Sequence, residues 1–131
     1  MNRGRRPEQD LQKAVLEHLA RRGVPGLFTF HYPAGGWRSP IEAAIFKSLG
    51  VVAGIPDILI IHKGEIFALE LKAEHGRLTP TQIETQTRMR AAGATVATAV
   101  EIDAALERLE QWKLLRPWRA AGAMGVSLRS G

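Results

Sequence analysis

Residues 54–72, GIPDILIIHKGEIFALELK, contain two apolar runs of strand length, 58–61 and 66–71, with a short polar segment between them. Lys63-Gly64 suits a two-residue hairpin loop, because glycine readily takes the positive φ that such loops require. That loop sets the pairing register, in which His62 lies opposite Glu65 and Asp57 lies opposite Glu70. The stretch therefore predicts a β-hairpin with two acidic residues facing each other at its open end.

The open end of this hairpin gathers charge on one face. Directly opposed residues of paired strands project to the same side, about 5 Å apart at Cβ, and Lys72 shares the face of Glu70. Two carboxylates this close repel each other unless positive charge lies between them. A divalent cation such as Mg²⁺ takes hard oxygen ligands and suits that position. The alternative is a strand end whose three charges reach solvent.

The same residues resemble a known nuclease signature. Pro56-Asp57 followed by Glu70-Leu71-Lys72 is similar to the PD-(D/E)xK motif, and a wider pattern resembles its VRR-NUC branch, stand-alone members of which occur in bacteria and phages. The wider pattern consists of Gly50-Val51, Gly54-Ile55-Pro56-Asp57, Glu70-Leu71-Lys72-Ala73, Gly76-Arg77-Leu78-Thr79-Pro80 and Gln82. The resemblance covers residues 8–115, and it implies a restriction-endonuclease-like α/β/α sandwich around a four-stranded mixed sheet.

The resemblance also implies a catalytic centre. Asp57 and Glu70 would hold Mg²⁺, for which Mn²⁺ would substitute, together with the backbone carbonyl of Leu71. Lys72 would orient the attacking water or offset charge on the phosphate in the transition state. These roles agree with the charge cluster that the hairpin register predicts at the same residues.

Two further residues join the predicted site through the resemblance. The family has an acidic residue in its first helix, and Glu8 matches it and would complete the ligand set directly or through water. Glu8 has a structural alternative, at the positive end of a helix dipole, and Asp10 is a competing carboxylate. Gln82 corresponds to a glutamine near the family's active site, and it also fits a capping box with Thr79.

Composition limits the function classes. The chain has 131 residues, no cysteine and a net charge of +5, with a sequence pI of about 10.2. A disulfide framework is therefore excluded, and the basic balance favours nucleic acid as a partner, with generic solubility as the alternative. There is no apolar run of membrane-spanning length and no signal-peptide pattern, so we expect a cytoplasmic protein. The resemblance implies that the cell is bacterial and that the protein is encoded by it or by its phage.

Caps and periodicity predict the order helix, strand, helix, strand, strand, helix, strand, helix. The first helix covers 8–22, and Ser39-Pro40 begins the second. The last helix is predicted to start at an Asp103 cap, with Leu106, Leu109, Trp112 and Leu115 along its apolar stripe. The predicted organisation is a basic N-terminal tail (1–7), one nuclease domain (8–116) and a flexible C-terminal tail (117–131).

Basic and aromatic residues outside the hairpin are candidates for DNA contact. The loop 33–38 places Trp37 and Arg38 beside two glycines, which suits close approach to a nucleic-acid backbone or, alternatively, an ordinary turn. Lys47 and Arg77 are further candidate phosphate contacts. Family members often have asparagine at the position of Ala34. This departure argues against a side-chain contact to DNA from position 34, and it does not affect the metal chemistry.

These observations predict a Mg²⁺-dependent DNA endonuclease that acts on branched DNA such as four-way junctions. The alternatives are a nucleic-acid-binding module without catalysis and an accessory subunit that uses its final helix. Two strands of a symmetric junction require two catalytic sites, and proteins that the chain resembles include dimers. We therefore expect a homodimer, with Leu109, Trp112 and Leu115 as a candidate surface that serves either the core or a partner.

Overall fold

The computed structural model describes residues 7–31 and 39–117. The helices are α1 (Pro7–Arg22), α2 (Pro40–Ser48), α3 (Pro80–Ala91) and α4 (Glu101–Gln111), and the strands are β1 (Phe28–His31), β2 (Ile58–His62), β3 (Glu65–Lys72) and β4 (Thr95–Val100). The predicted element order is confirmed. Helix α1 begins at Pro7, inside the predicted tail, and the predicted loop 33–38 lies outside the described residues.

The four strands form one mixed sheet in the order β1-β2-β3-β4. Strands β1 and β2 are antiparallel, as are β2 and β3, whereas β4 runs parallel to β3 after the α3 crossover. The β2–β3 turn takes positive φ at both central residues, 51° at Lys63 and 81° at Gly64. This conformation suits the twist of paired strands, and it fixes the predicted pairing of His62 with Glu65.

One face of the sheet carries the apolar core. Alternate residues of β2 and β3 point toward α1 and α4, where they meet apolar side chains of both helices. The buried cluster contains Leu11, Val15, Leu19, Ile58, Ile60, Phe67, Leu69, Leu71, Ala99, Ala105, Leu109, Leu114 and Leu115. The core side therefore consists of a two-helix layer on the sheet.

Helix α3 packs on the opposite face. Its Gln86 amide donates to the Thr98 hydroxyl of β4 at 3.3 Å, and Arg90 donates to the Val96 carbonyl at 3.2 Å. Because Thr98 pairs with Glu70 in the parallel ladder, α3 lies over the face that carries the predicted acidic site. The predicted α/β/α sandwich around a four-stranded mixed sheet is confirmed.

The predicted start of the last helix is wrong. Helix α4 begins at Glu101, directly after β4, and its N-cap position is Val100, which makes no side-chain cap bond. Asp103 lies within the first turn, where its negative charge still favours the helix dipole. Glu101 takes the left-handed region at φ 69°, so the chain turns from strand to helix without a polar cap residue.

Helix α4 ends at Gln111, so Trp112 and Leu115 of the predicted stripe follow the helix, and the stripe belongs to the core. Leu109 is 0% exposed and Leu115 is 3% exposed, and the Trp112 ring lies 5.3 Å from the Phe67 ring, centroid to centroid. An ion pair links α1 to α4 beside this core, where the buried Arg22 lies 2.9 Å from the partly exposed Glu110. The stripe is therefore not a partner surface, and the accessory-subunit hypothesis loses the exposed surface on which it depends.

Candidate active site

Asp57 and Glu70 meet at the open end of the hairpin, as the register predicts. Asp57 directly precedes β2, and its Oδ2 accepts a hydrogen bond of 2.7 Å from the backbone N–H of Leu71. Glu70 lies in β3 and is only 2% exposed. The bond to Leu71 places the Asp57 carboxylate beside the β3 backbone next to Glu70, so the two acids belong to one site.

The two oxygens of the Glu70 carboxylate differ in their contacts. Oε2 accepts from the Gln82 amide at 3.1 Å and lies 3.7 Å from Nζ of Lys72. Oε1 is buried and meets no donor within the described part of the chain, apart from a proton that it can share with the Asp57 carboxyl. A buried carboxylate oxygen without a donor is costly, and a cation that binds between the two acids would remove that cost.

Burial raises the pKa of both acids, and a neighbouring carboxylate adds to the effect at each, Asp57 at Glu70 and Glu8 at Asp57. Burial, followed by the nearby Asp57 charge, raises the pKa of Glu70 to about 8, although Lys72 acts in the opposite direction. Burial likewise raises the pKa of Asp57, and the bond from Leu71 N–H counteracts it. Without a cation, the pair therefore holds a proton at neutral pH, because two adjacent carboxylates cannot both ionise cheaply.

Helix α1 supplies the third acid and a second amide. Glu8 lies in the first turn, and its Oε2 accepts a long bond of 3.5 Å from Ala73 N–H. Its charge contributes to the raised pKa of Asp57. Across residues 7–31 and 39–117, no three acidic or histidine side chains converge closely enough to form a metal cage.

Gln12 is a site residue that the sequence reasoning missed. It lies one turn after Glu8 on the buried stripe of α1 and is 5% exposed. Its Nε2 donates to the backbone carbonyl of Asp57 at 3.4 Å. A glutamine on an otherwise apolar stripe was the available signal, because a buried amide requires polar partners.

Helix α3 fixes the site from the other side. Thr79 and Gln82 form the predicted capping box, in which the Gln82 Oε1 accepts from Thr79 N–H at 2.9 Å. The box leaves the Gln82 amide nitrogen to donate to Glu70, so the structural and the site role are both present. Gln82 therefore links the start of α3 to the acidic pair.

The turn before Asp57 also depends on α3. Gly54 has φ 81°, and a Cβ there would lie 2.7 Å from the Thr81 carbonyl oxygen. The Thr85 hydroxyl donates to the neighbouring Ala53 carbonyl at 2.7 Å. Only glycine permits this close approach, which explains the Gly-x-Pro-Asp pattern as a means of placing Asp57.

The residues predicted to contact DNA are not among those that the structure places in this cluster. Lys47 and Arg77 are exposed, and their predicted phosphate contacts stay predictions. Trp37, Arg38 and Ala34 lie in residues 32–38, outside the described part of the chain. The site itself combines the five residues predicted as catalytic, which are Glu8, Asp57, Glu70, Lys72 and Gln82.

Comparison with solved structures identifies the fold. A structure titled "VRR_NUC domain protein" superposes with a TM-score of 0.68 at 27% sequence identity, covering 86% of this chain and 93% of that one. The chain folds as a VRR-NUC domain. A second structure, titled "VRR_NUC domain", is similar in fold, with a TM-score of 0.55 and 24% identity over 82% of this chain and 97% of that one.

No protein-family profile matches the chain, and no curated protein sequence matches it significantly. The resemblance predicted from the Pro56-Asp57 and Glu70-Leu71-Lys72 motifs is confirmed by the structural comparison, which is consistent with the PD-(D/E)xK superfamily. Helices long and apolar enough to cross a bilayer do not occur in residues 7–31 and 39–117.

Proposed function

We propose that this VRR-NUC domain is a Mg²⁺-dependent endonuclease that hydrolyses phosphodiester bonds in branched DNA. The observation that supports it most is the buried pair Asp57–Glu70, in which one Glu70 oxygen meets no N–H donor among the described residues and an ammonium lies 3.7 Å from the other. A binding module without catalysis has no use for buried acids that repel DNA phosphates. A nuclease needs them, because they are the ligands that Mg²⁺ prefers.

The donor set fits Mg²⁺. Asp57 and Glu70 would hold the ion with the Leu71 carbonyl, and Glu8 would act through water. Mg²⁺, or Mn²⁺ in its place, supplies Lewis-acid activation of water and of the phosphate when it is bound. Two protein carboxylates and several waters are typical of Mg²⁺ sites in enzymes that act on phosphates.

The other residues of the site orient the reactants. Lys72 is 7% exposed, so its ammonium is held beside the acidic pair, where it would offset the negative charge that develops on the phosphate in the transition state. A preorganised positive group in a water-poor site stabilises that charge more strongly than one in bulk water. Gln82 keeps the Glu70 carboxylate in one orientation, and Gln12 holds the backbone at Asp57.

Two-strand cleavage of a symmetric junction requires two such sites. One domain provides one site, so we propose that the protein acts as a homodimer with two-fold symmetry. The buried stripe of α4 cannot supply the interface, since Leu109 and Leu115 are core residues. A different surface is therefore required.

A cleavage assay tests the proposed activity directly. Linear duplex, flapped and four-way DNA substrates are incubated with Mg²⁺, Mn²⁺ or Ca²⁺, each with a chelator control. We expect cleavage with Mg²⁺ and Mn²⁺, and faster cleavage of the four-way substrate than of the linear duplex. We expect none with Ca²⁺, whose looser coordination positions the reactants poorly. Full activity in excess chelator would contradict the mechanism, and equal rates on all substrates would contradict the preference for branched DNA.

A further inference from the structure

A strip of the sheet is apolar and uncovered. Phe28, Ile61 and Ile66 pair in one row across β1, β2 and β3, so their side chains share a face. Phe30 lies on that face too, with its ring 6.3 Å from the Phe28 ring. These four side chains, called here the sheet strip, are 39% to 63% exposed. Large apolar side chains in contiguous exposed groups mark interaction surfaces.

Helix α2 also has an exposed apolar side. Ile41, Ile45 and Leu49 recur four residues apart at helical spacing, and they are 53% to 74% exposed. Neither a strand nor another helix among the described residues packs extensively against α2. We call these three residues the helix ridge. A ridge of this kind is the part of an amphipathic helix that normally packs on a sheet.

Extending the proposed homodimer, we infer that two copies exchange these surfaces, with the helix ridge of each copy packed on the sheet strip of the other. Within residues 7–31 and 39–117, the sheet strip has no helix packed on it and helix α2 has no sheet packed against its ridge. A second copy supplies both missing partners at once. The exchange is self-complementary and closes with two-fold symmetry, so it gives a dimer and not an open chain.

The amount of apolar surface fits a stable dimer. Large side chains bury at most roughly 150–250 Å² when they are fully covered, and because these seven are about half exposed, they offer on the order of 700 Å² per copy. Standard interfaces bury about 800 Å² per partner. Polar neighbours at the rim, including Glu42, Lys47 and Glu65, are exposed or partly exposed, as interface rims are.

The surface is also placed to leave the proposed catalytic site open. Ile66 and Glu70 lie on the same sheet face but at opposite ends of β3, and Gln82 of α3 covers the acidic end. Packing on the turn end of the hairpin would therefore bring two copies together without covering Asp57 or Glu70. Two sites held in one symmetric particle are what cleavage of two strands requires.

Two variants separate this arrangement from its alternatives. A strip variant carries Phe28→Thr and Ile61→Thr, which suit a strand, and a ridge variant carries Ile45→Gln and Leu49→Gln, which suit a helix. Ile83→Gln is the matched control, because Ile83 is an equally exposed apolar residue on another helix, at 51%. Circular dichroism first establishes that each variant is folded.

Light scattering and native mass spectrometry then measure assembly at micromolar concentration. We expect the wild type and Ile83→Gln to be dimers, and both variants to be monomers when alone. A mixture of the two variants should recover a 1:1 dimer, because the intact ridge of the strip variant meets the intact strip of the ridge variant. If helix paired with helix and strip with strip, the mixture would contain no intact contact.

Three outcomes would overturn the inference. They are a monomeric wild type, variants that remain dimeric, and variants that are monomeric alone and stay so when mixed. The proposed chemistry is tested separately, since both variants retain the acidic pair and should still nick DNA with Mg²⁺ while losing the preference for four-way substrates. A dimeric wild type without any cleavage would instead contradict the proposed nuclease and leave the interface intact.

Discussion

The two faces of the sheet follow opposite rules. On the face under α1 and α4, apolar side chains such as Leu69 and Ile58 are fully buried. On the other face the charged Glu70 and Lys72 are buried, whereas the apolar Phe28 and Ile66 are exposed. The first face stabilises the fold in the ordinary way. The second departs from that rule twice, and such departures mark functional surfaces because they lower stability unless a ligand or partner compensates.

The largest effect is expected where buried charge is removed from the second face. Asp57→Asn and Glu70→Gln should reduce Mg²⁺-dependent cleavage below detection, because each removes a predicted ligand charge. Lys72→Ala should slow cleavage by roughly 10²–10³-fold, the usual cost of losing one preorganised charge-stabilising group. Single-turnover cleavage of a labelled four-way substrate measures each rate.

DNA affinity provides the control for these variants. Binding measured without divalent ions at neutral pH should persist in all of them, and Glu70→Gln should leave it nearly unchanged, because the metal-free acidic pair already holds a proton. Near-wild-type cleavage by Asp57→Asn would refute the assignment of the site. Loss of both DNA binding and folding in every variant would instead indicate that Asp57 and Glu70 have a structural role.

The next largest effect is expected on the conventional face. Leu109→Ala should lower the free energy of unfolding by about 2–5 kcal/mol, because it opens a cavity in the core. Ile61→Ala on the sheet strip should change it by roughly 0.5 kcal/mol or less, as exposed substitutions do. Both are measured by urea denaturation in the ridge variant, which is not expected to dimerise. Equal losses of unfolding free energy at Leu109 and Ile61 would contradict the distinction between the two faces of the sheet.

The hairpin and its register were predictable because their causes are local. Lys63-Gly64 dictates a tight turn, and a tight turn determines which residues face each other across it. The buried stripe of α4 was harder, since helical spacing shows which residues share a side but not what covers that side. Whether Leu109 faces the core or a partner depends on packing with α1 and β3, which no short stretch of sequence contains.

The site was predictable in part for the same reason. Asp57 and Glu70 follow from the turn, and Gln82 follows from a capping box. Gln12 was missed because its partner is the Asp57 backbone carbonyl, 45 residues away in the chain. The prediction that Asp103 caps α4 was wrong because the helix already begins at Glu101, which has a positive φ. That conformation favours glycine, and the sequence did not indicate it at a glutamate.

A smaller effect should appear in the pH dependence of the metal-free protein. Glu70 has a folded pKa of about 8, against an ordinary value of 4.5. Its protonated form is thus favoured by folding, so its stabilisation is complete below about pH 4.5 and is lost as the pH rises toward 8. The Asp57 pKa is also raised, which acts in the same direction.

Denaturant unfolding in chelator across this pH range measures the trend. The wild type should become less stable as the pH rises, and Glu70→Gln should show a flatter profile because it cannot ionise. Saturating Mg²⁺ should reduce the loss at high pH, since a cation that binds the ionised pair stabilises the folded state. A metal-free wild type that gains stability from pH 5 to pH 8 would contradict the raised pKa values.

The smallest effect tests how the acidic face is held in place. Thr79→Ala removes the hydroxyl that accepts from Gln82 N–H at 3.1 Å, and it should cost about 0.5–2 kcal/mol of stability, as loss of an N-cap does. Ser39 caps α2 in the same way, accepting from Glu42 N–H at 3.0 Å, but that helix lies outside the site. Ser39→Ala is therefore the matched control for loss of a cap alone.

The two cap variants should differ in catalysis more than in stability. Without its cap the start of α3 is less fixed, so the Gln82 amide is less often oriented toward Glu70. Thr79→Ala should then lower the cleavage rate more than DNA affinity, Thr79→Ser should restore the rate, and Ser39→Ala should leave the rate unchanged. Equal cleavage by the Thr79→Ala and Ser39→Ala proteins would mean that the capping box stabilises α3 without positioning the acid.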